Sequence, residues 1–186
     1  MGGTLNRVKH IVRSAIVVAA ILFGAVGRAA AQNDDDELRA ITARVHGTFQ
    51  DASGGLGVVS GDMTIARFAV INGSVVAIGR IAGAMADSSG DVLGKVDQEL
   101  ALAVSNVAST CNQLRMDLAA TDAPVLDVPV QFDKEVAGFD SRDGAAPKAH
   151  TALCAVAQLL RREPTGDAVI RELNNVVTAL AAATRN

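Results

Sequence analysis

The sequence predicts a mainly β protein with C-terminal α: an antiparallel β-sandwich or open barrel covered by two C-terminal helices. Three observations carry this. Two apolar, β-branched runs flank Asn72-Gly73, and a two-residue turn that matches the twist of its strands needs positive φ at both central residues, which Asn and Gly accept. Apolar residues alternate with polar ones in several other short segments, the period of half-buried strands. After Asp143-Gly144 the apolar spacing becomes that of helices.

The elements follow in order. Arg7, Lys9 and Arg13 precede an apolar run from Ala15 to Val26, broken by Gly24 and followed by Ala29-Ala30-Ala31. This layout predicts a secretory signal peptide over residues 1–31, cleaved before Gln32, because the run is shorter than the roughly 20 residues a spanning helix needs. An uncleaved anchor is the alternative, and after removal of the signal no stable membrane span is expected. Residues 32–46 form an acidic tail and the start of the first strand. The run Asn33-Asp34-Asp35-Asp36-Glu37 lacks the alternate spacing around a Gly turn that calcium loops use, so it reads as a solvated tail.

From Ile41 to Phe49 the alternation predicts a first strand. Gly55-Leu56-Gly57 and Gly61 read as a connection running from Asp51 to Gly61, since a nucleotide-binding loop would follow a strand and open a helix. In the Asn72-Gly73 hairpin, Val75, Val76, Ile78 and Ile81 are expected to pair back toward Ile71, Val70, Phe68 and Ile65. Asp87 to Asp91 is a loop by composition. The segment 92–107 fits a helical face through Leu93, Val96, Leu100, Ala103 and Val107, and a strand through Leu100, Leu102 and Val104. Leu114, Met116 and Leu118 alternate as a strand, and the stretch to Asp140 gives further extended segments, with Pro129 at an edge or bulge and Phe132 toward the core. Asp140 and Asp143 read as turn residues. Ala149, Leu153, Val156, Ala157 and Leu160 then make one helical stripe ending before Pro164, and Val169, Ile170, Leu173, Val176, Val177 and Leu180 make a second, starting near Asp167. The β region 47–145 and the helical pair 146–186 are expected to form one domain.

These residues resemble a group of small exported bacterial proteins that carry no assigned activity. The resemblance rests on FAVINGSVVAIGRIAG, the Cys-led CNQLRMDL, TALCAVAQLL and the closing ELNNVVTAL, against an NG hairpin, a Cys-led strand, an LLCAVAxLL helix and a leucine-rich final helix. It covers roughly residues 47 to 183. It implies architecture without activity, and strand rather than helix over 98–106. The chain departs from the group between Ala119 and Asp140, where ATDAPVLDVPVQFD replaces a leucine-rich segment.

Composition restricts function. The signal segment holds Arg7, Lys9, Arg13 and Arg28 and no acid, so its loss moves the formal charge from −3 to −7. So acidic a surface repels phosphate backbones. Without Trp or Tyr, and with only Phe49, Phe68, Phe132 and Phe139 after residue 31, stacking on bases or sugars is disfavoured. No nucleic acid partner, cofactor or metal is therefore expected. His46 and His150 are the only histidines after the signal, no nucleophile or zinc motif accompanies them, and no catalytic residue is assigned. Cys111 and Cys154 are expected to form the one disulfide in an oxidising compartment, the alternative being two buried thiols. Asn72 and Gly73 are assigned to the turn, although Asn72-Gly73-Ser74 also matches a glycosylation sequon. Three functions stay open: a secreted, non-catalytic interaction or structural domain with a protein partner, a carrier of an apolar small molecule between sheet and helices, and a carboxylate hydrolase.

Overall fold

The computed structural model describes residues 40–141, 147–162 and 166–183; the expected signal peptide, the acidic run, Asp143 and Pro164 lie outside them. Eight strands precede two helices: β1 (Thr42–Gln50), β2 (Leu56–Ile71), β3 (Ser74–Ala86), β4 (Val92–Ser109), β5 (Gln113–Leu118), β6 (Thr121–Val125), β7 (Val128–Phe132), β8 (Glu135–Asp140), α1 (Pro147–Leu160) and α2 (Asp167–Ala183). The protein is thus mainly antiparallel β with C-terminal helices, as its sequence predicts. The pairings β1–β2, β2–β3, β3–β4, β4–β5, β5–β8 and β8–β1 return to their start, so the sheet closes on itself as a barrel.

Consecutive hairpins β1–β2, β2–β3, β3–β4 and β4–β5 and one long hairpin formed by β5 to β8 build this ring. Gln113↔Asp140 through Leu118↔Glu135 and Thr121↔Phe132 through Val125↔Val128 keep one register, so β5–β6 and β7–β8 are the two arms of a single hairpin. Its tip is Leu126-Asp127, both at positive φ (49° and 66°), the backbone a two-residue turn requires. Against β1 the second arm carries one extra residue between Gly47↔Phe132 and Thr42↔Gly138. There the Asp133 N–H donates to the His46 carbonyl at 3.0 Å.

Three sequence expectations are corrected, and the alternative left open over 92–107 is decided. The Asn72-Gly73 turn is present, with φ of 53° and 78°, but a two-residue turn sets Ile71 directly opposite Ser74. Val75 therefore meets Val70 and Val76 meets Ala69, and a bulge at Ala66 sets Ile78 against Arg67 and Ile81 against Met63. The connection after Asp51 ends at Gly55, because Gly57 and Gly61 are strand residues: a Cβ on Gly57 would lie 2.3 Å from Cζ of Phe49. The segment 92–107 is wholly strand within β4, with Val96, Leu100 and Leu102 turned inward. Asp140 closes β8 instead of turning the chain, and accepts a hydrogen bond from the Gln113 amide at 3.1 Å.

Large apolar side chains fill the barrel. Val45, Met63, Ile81, Leu102, Met116 and Phe132 are at most 1% exposed and belong to one cluster with Leu153, Val156, Leu173 and Val176 of the helices. Close coiling of β2 on β3 depends on absent side chains. A Cβ on Gly79 would stand 2.2 Å from the Thr64 carbonyl oxygen, and one on Gly83 2.2 Å from that of Ser60, which is the use of glycine where strands bend sharply.

The helices cover the end of the barrel that carries the Asn72-Gly73 turn. Beyond Ile65, whose N–H bonds the Ile41 carbonyl, β1 no longer reaches β2. Asn174 of α2 takes its place, with Oδ1 accepting from the Phe68 N–H at 2.7 Å and Nδ2 donating to the Phe68 carbonyl at 3.0 Å. Ser109 at the end of β4 donates to the Leu153 carbonyl of α1. No helix among the described residues is long and apolar enough to cross a membrane.

Candidate functional site

The opposite end of the barrel is formed by three turns, 51–55, 87–91 and 126–127. Two of these are copies of one another. In the first, Asp51 Oδ1 accepts from the Ser53 N–H, the Ser53 hydroxyl and the Gly55 N–H. In the second, Asp87 Oδ1 accepts from the Ser89 N–H, the Ser89 hydroxyl and the Asp91 N–H. Gly54 and Gly90 take matching positive φ, 84° and 90°. Asp side chains favour such turns because they cap backbone donors two and four residues on. The likeness extends into the strands: Arg44, Val45, Gly47, Phe49, Asp51, Ser53 and Gly54 recur as Arg80, Ile81, Gly83, Met85, Asp87, Ser89 and Gly90. Val59, Met63 and Ile65 recur as Val96, Leu100 and Leu102, displaced by one residue at the bulge between Met85 and Ala86.

The two turns are bound to each other. The Ser88 N–H donates to Asp51 Oδ2 at 3.0 Å, so both oxygens of Asp51 accept. These donors, the Ser53 hydroxyl first and then Ser88, hold the Asp51 carboxyl far below the usual carboxylate range. Asp87 is lowered chiefly by the Ser89 hydroxyl and the Asp91 N–H, against an opposing push from the nearby Asp51 charge. The third turn is held to β4 by Gln98, whose Nε2 donates to the Pro124 carbonyl and whose Oε1 accepts from the Leu126 N–H.

Around these fixed turns stand exposed apolar side chains. Leu56 is 71%, Val92 70% and Leu93 57% exposed, with Val58 and Leu126 about half exposed. Val58, Ala86 and Val92 lie in one row across β2, β3 and β4, and Leu126 reaches to the Gly94 backbone. The wall above differs: Arg44–Asp62, Arg67–Glu99 and Arg80–Asp97 pair across it. Five of the eight exposed large apolar residues among the described ones stand at this end, the others being Val70, Ile71 and Val136, and such clustering marks a surface made for contact.

Catalytic arrangements compare poorly with this surface. His46 Nδ1 lies 2.8 Å from Glu135 Oε1 on the outer wall, and Ser60 is the cross-strand neighbour of His46. These are the residue types of a triad, but no hydrogen bond links Ser60 to His46, and the imidazole stands half exposed on a sheet face instead of in a cleft. Asp51 and Asp87 lie on neighbouring turns, and the hydrogen-bond donors around each lower its carboxyl, the opposite of the raised value that the acid of a carboxylate pair needs.

The assigned disulfide residues come together. Cys111, in the turn between β4 and β5, and Cys154 of α1 have sulfurs 2.08 Å apart, and His150 Nε2 lies 3.8 Å from the Cys154 sulfur. Asn72 and Gly73 sit at the far end, away from the apolar rim. Sequence reasoning passed over the rim residues, although the repeat of Arg, Gly, Asp, Ser and Gly at matching positions was a signal that could have found the paired turns. No family model, curated protein or solved structure matches the chain.

Proposed function

We propose that this protein is a non-catalytic interaction domain that works outside the cytoplasm, in the periplasm or beyond the cell, and that it engages its partner through the three-turn end of the barrel. The observation that carries this is the grouping of Leu56, Val58, Val92 and Leu93 at the starts of β2 and β4 with Leu126, beside turns fixed by Asp51, Asp87 and Gln98. A rigid apolar surface binds with little loss of conformational entropy. The large apolar side chains packed together inside the barrel and under the helices support contact at the surface over carriage of a small molecule between sheet and helices. The N-terminal basic, apolar and Ala-Ala-Ala pattern, the Cys111–Cys154 bond and the resemblance to exported proteins support the compartment.

One experiment tests both parts. A photoreactive residue is placed at Leu93, or as a control at Glu99 on the paired wall, and the product is irradiated in the expressing cell. The expected result is a chain starting at Gln32 by intact mass and a discrete protein adduct from position 93 only. Equal labelling from both positions refutes the docking end, and a product retaining residues 1–31 in the membrane fraction refutes the leader.

A further inference from the structure

The charge around the apolar rim identifies what it binds, given the docking end proposed above. Turns 51–55, 87–91 and 126–127 contain Asp51, Asp87, Asp91 and Asp127 and neither Lys nor Arg. Asp91 and Asp127 are exposed. On the walls, by contrast, charge is largely cancelled: Arg44 faces Asp62, Arg67 faces Glu99, Arg80 faces Asp97, and Arg115 lies by Asp117. Lys95 on β4 is the nearest base in sequence to these turns, one cation against four aspartates. Net negative charge and the most exposed large apolar side chains, Leu56, Val92 and Leu93, therefore coincide at one end.

We propose that this end binds a protein segment in which apolar side chains are flanked by Lys or Arg. Leu56, Val92, Leu93 and Leu126 would desolvate against the apolar side chains, while the aspartates steer and orient the cations. Other occupants are opposed by the same charges. A second copy presenting this end would bring aspartate against aspartate, and anionic lipid headgroups or nucleic acid would be repelled.

The test is an amide-shift titration of the isotopically labelled protein, as recovered from the expressing cell, with three synthetic peptides: alternating Leu and Lys, alternating Leu and Glu, and alternating Ser and Lys. The Leu/Lys peptide is expected to shift amides of residues 51–58, 87–94 and 126–127, with the other two binding about tenfold more weakly or less, and with its affinity falling as salt shortens the Debye length. Leu93→Ser with Leu126→Ser, and separately Asp91→Lys with Asp127→Lys, should each weaken that binding by about tenfold while leaving the remaining spectrum in place. Equal binding of the Leu/Glu peptide at these amides overturns the cationic partner and leaves the docking end standing. Shifts elsewhere, or none, with the Leu/Lys peptide overturn this inference, and the position-93 adduct then decides separately whether the docking end survives. Concentration-dependent broadening of the same amides without peptide would make a second copy the occupant, and shifts with phosphatidylglycerol vesicles would make it a lipid surface; each overturns the proposal.

Discussion

Removing the Cys111–Cys154 bond should lower the stability of the fold markedly. The bond joins residues 43 apart, and the loop it closes contains β5 to β8 and the first half of α1. In the chain-entropy description, closing a loop of about 44 residues removes about 13 cal/mol/K from the unfolded ensemble, or about 4 kcal/mol at 25 °C. That is a large fraction of the roughly 5–15 kcal/mol that holds a domain folded. For a chain of this size about 4 kcal/mol corresponds to a fall of about 8–16 °C in melting temperature. Because Cys111 is exposed and Cys154 only half buried, replacing both with Ala removes little packing, so the loss reports the cross-link itself. The assay is thermal unfolding followed by circular dichroism for the wild type, the wild type under reductant, and Cys111→Ala with Cys154→Ala. The last two should coincide. A fall below about 3 °C would show that the unfolded chain gains little freedom when the link is cut, against the loop-entropy reasoning. Two free thiols in the denatured, unreduced wild type would refute the bond and remove one support for an oxidising compartment.

Two further predictions rest on individual positions. Gly83→Ala places a Cβ 2.2 Å from the Ser60 carbonyl oxygen and 2.7 Å from the Gly61 Cα; backbone must move, and urea unfolding should show a loss of about 1–3 kcal/mol, whereas no loss would mean β2 and β3 do not coil as described. Asp51 and Asp87 are held below their unfolded carboxyl values, so the stability they contribute is present above about pH 4 and is lost as pH falls through their folded values. Amide exchange at Ser53, Gly55 and Ser88, corrected for intrinsic rates, should accelerate on acidification below about pH 4, and in Asp51→Ala it should be fast at all pH values; protection unchanged in that variant would refute the role given to the carboxylate.

Local chemistry made most elements legible, and the failures have physical causes. The Asn72-Gly73 turn, the alternation in β1 and β5 and both helical stripes were readable because each uses residues whose backbone preference agrees with the fold. The β4 segment was ambiguous because Gln98 is only partly buried, in line with the core-facing Val96 and Leu100. A polar residue there breaks the alternation, and its reason appears only in three dimensions, where it bonds Pro124 and Leu126 across a sequence gap of 26 and 28 residues. The tip Leu126-Asp127 escaped notice since Leu seldom adopts positive φ. In the Asn72-Gly73 hairpin the two-residue turn dictates that Ile71 faces Ser74, one residue from the expected register, whereas the bulge at Ala66, which carries Ile81 a second residue away to Met63, leaves no mark in hydrophobicity. Of the candidate site, the paired Asp-Ser-Gly turns were visible as a repeat, whereas the exposure of Leu56, Val92 and Leu93 was not, because apolar residues at strand starts look the same whether they face core or solvent.

The barrel is not held by backbone pairing alone, and this bears on how a partner would meet it. Where β1 stops short of β2, Asn174 offers one acceptor and one donor to Phe68; where β4 and β6 diverge, Gln98 does the same for Pro124 and Leu126. In both places a side-chain amide stands in for a peptide unit, satisfying edge groups that would otherwise invite pairing with another chain. Strand addition at Phe68 and at Pro124 to Leu126 is thereby opposed. The two ends divide the remaining work. At one end the helices bury Leu153, Leu173 and Val176 completely and the disulfide secures them; at the other, carboxylates cap backbone donors and leave the apolar side chains outside. Those apolar side chains have no core to enter, because Val59, Val96, Val125 and Val130 beneath them are already buried. Their exposure is a property of a finished fold, and a partner that covers them gains their burial without unfolding anything.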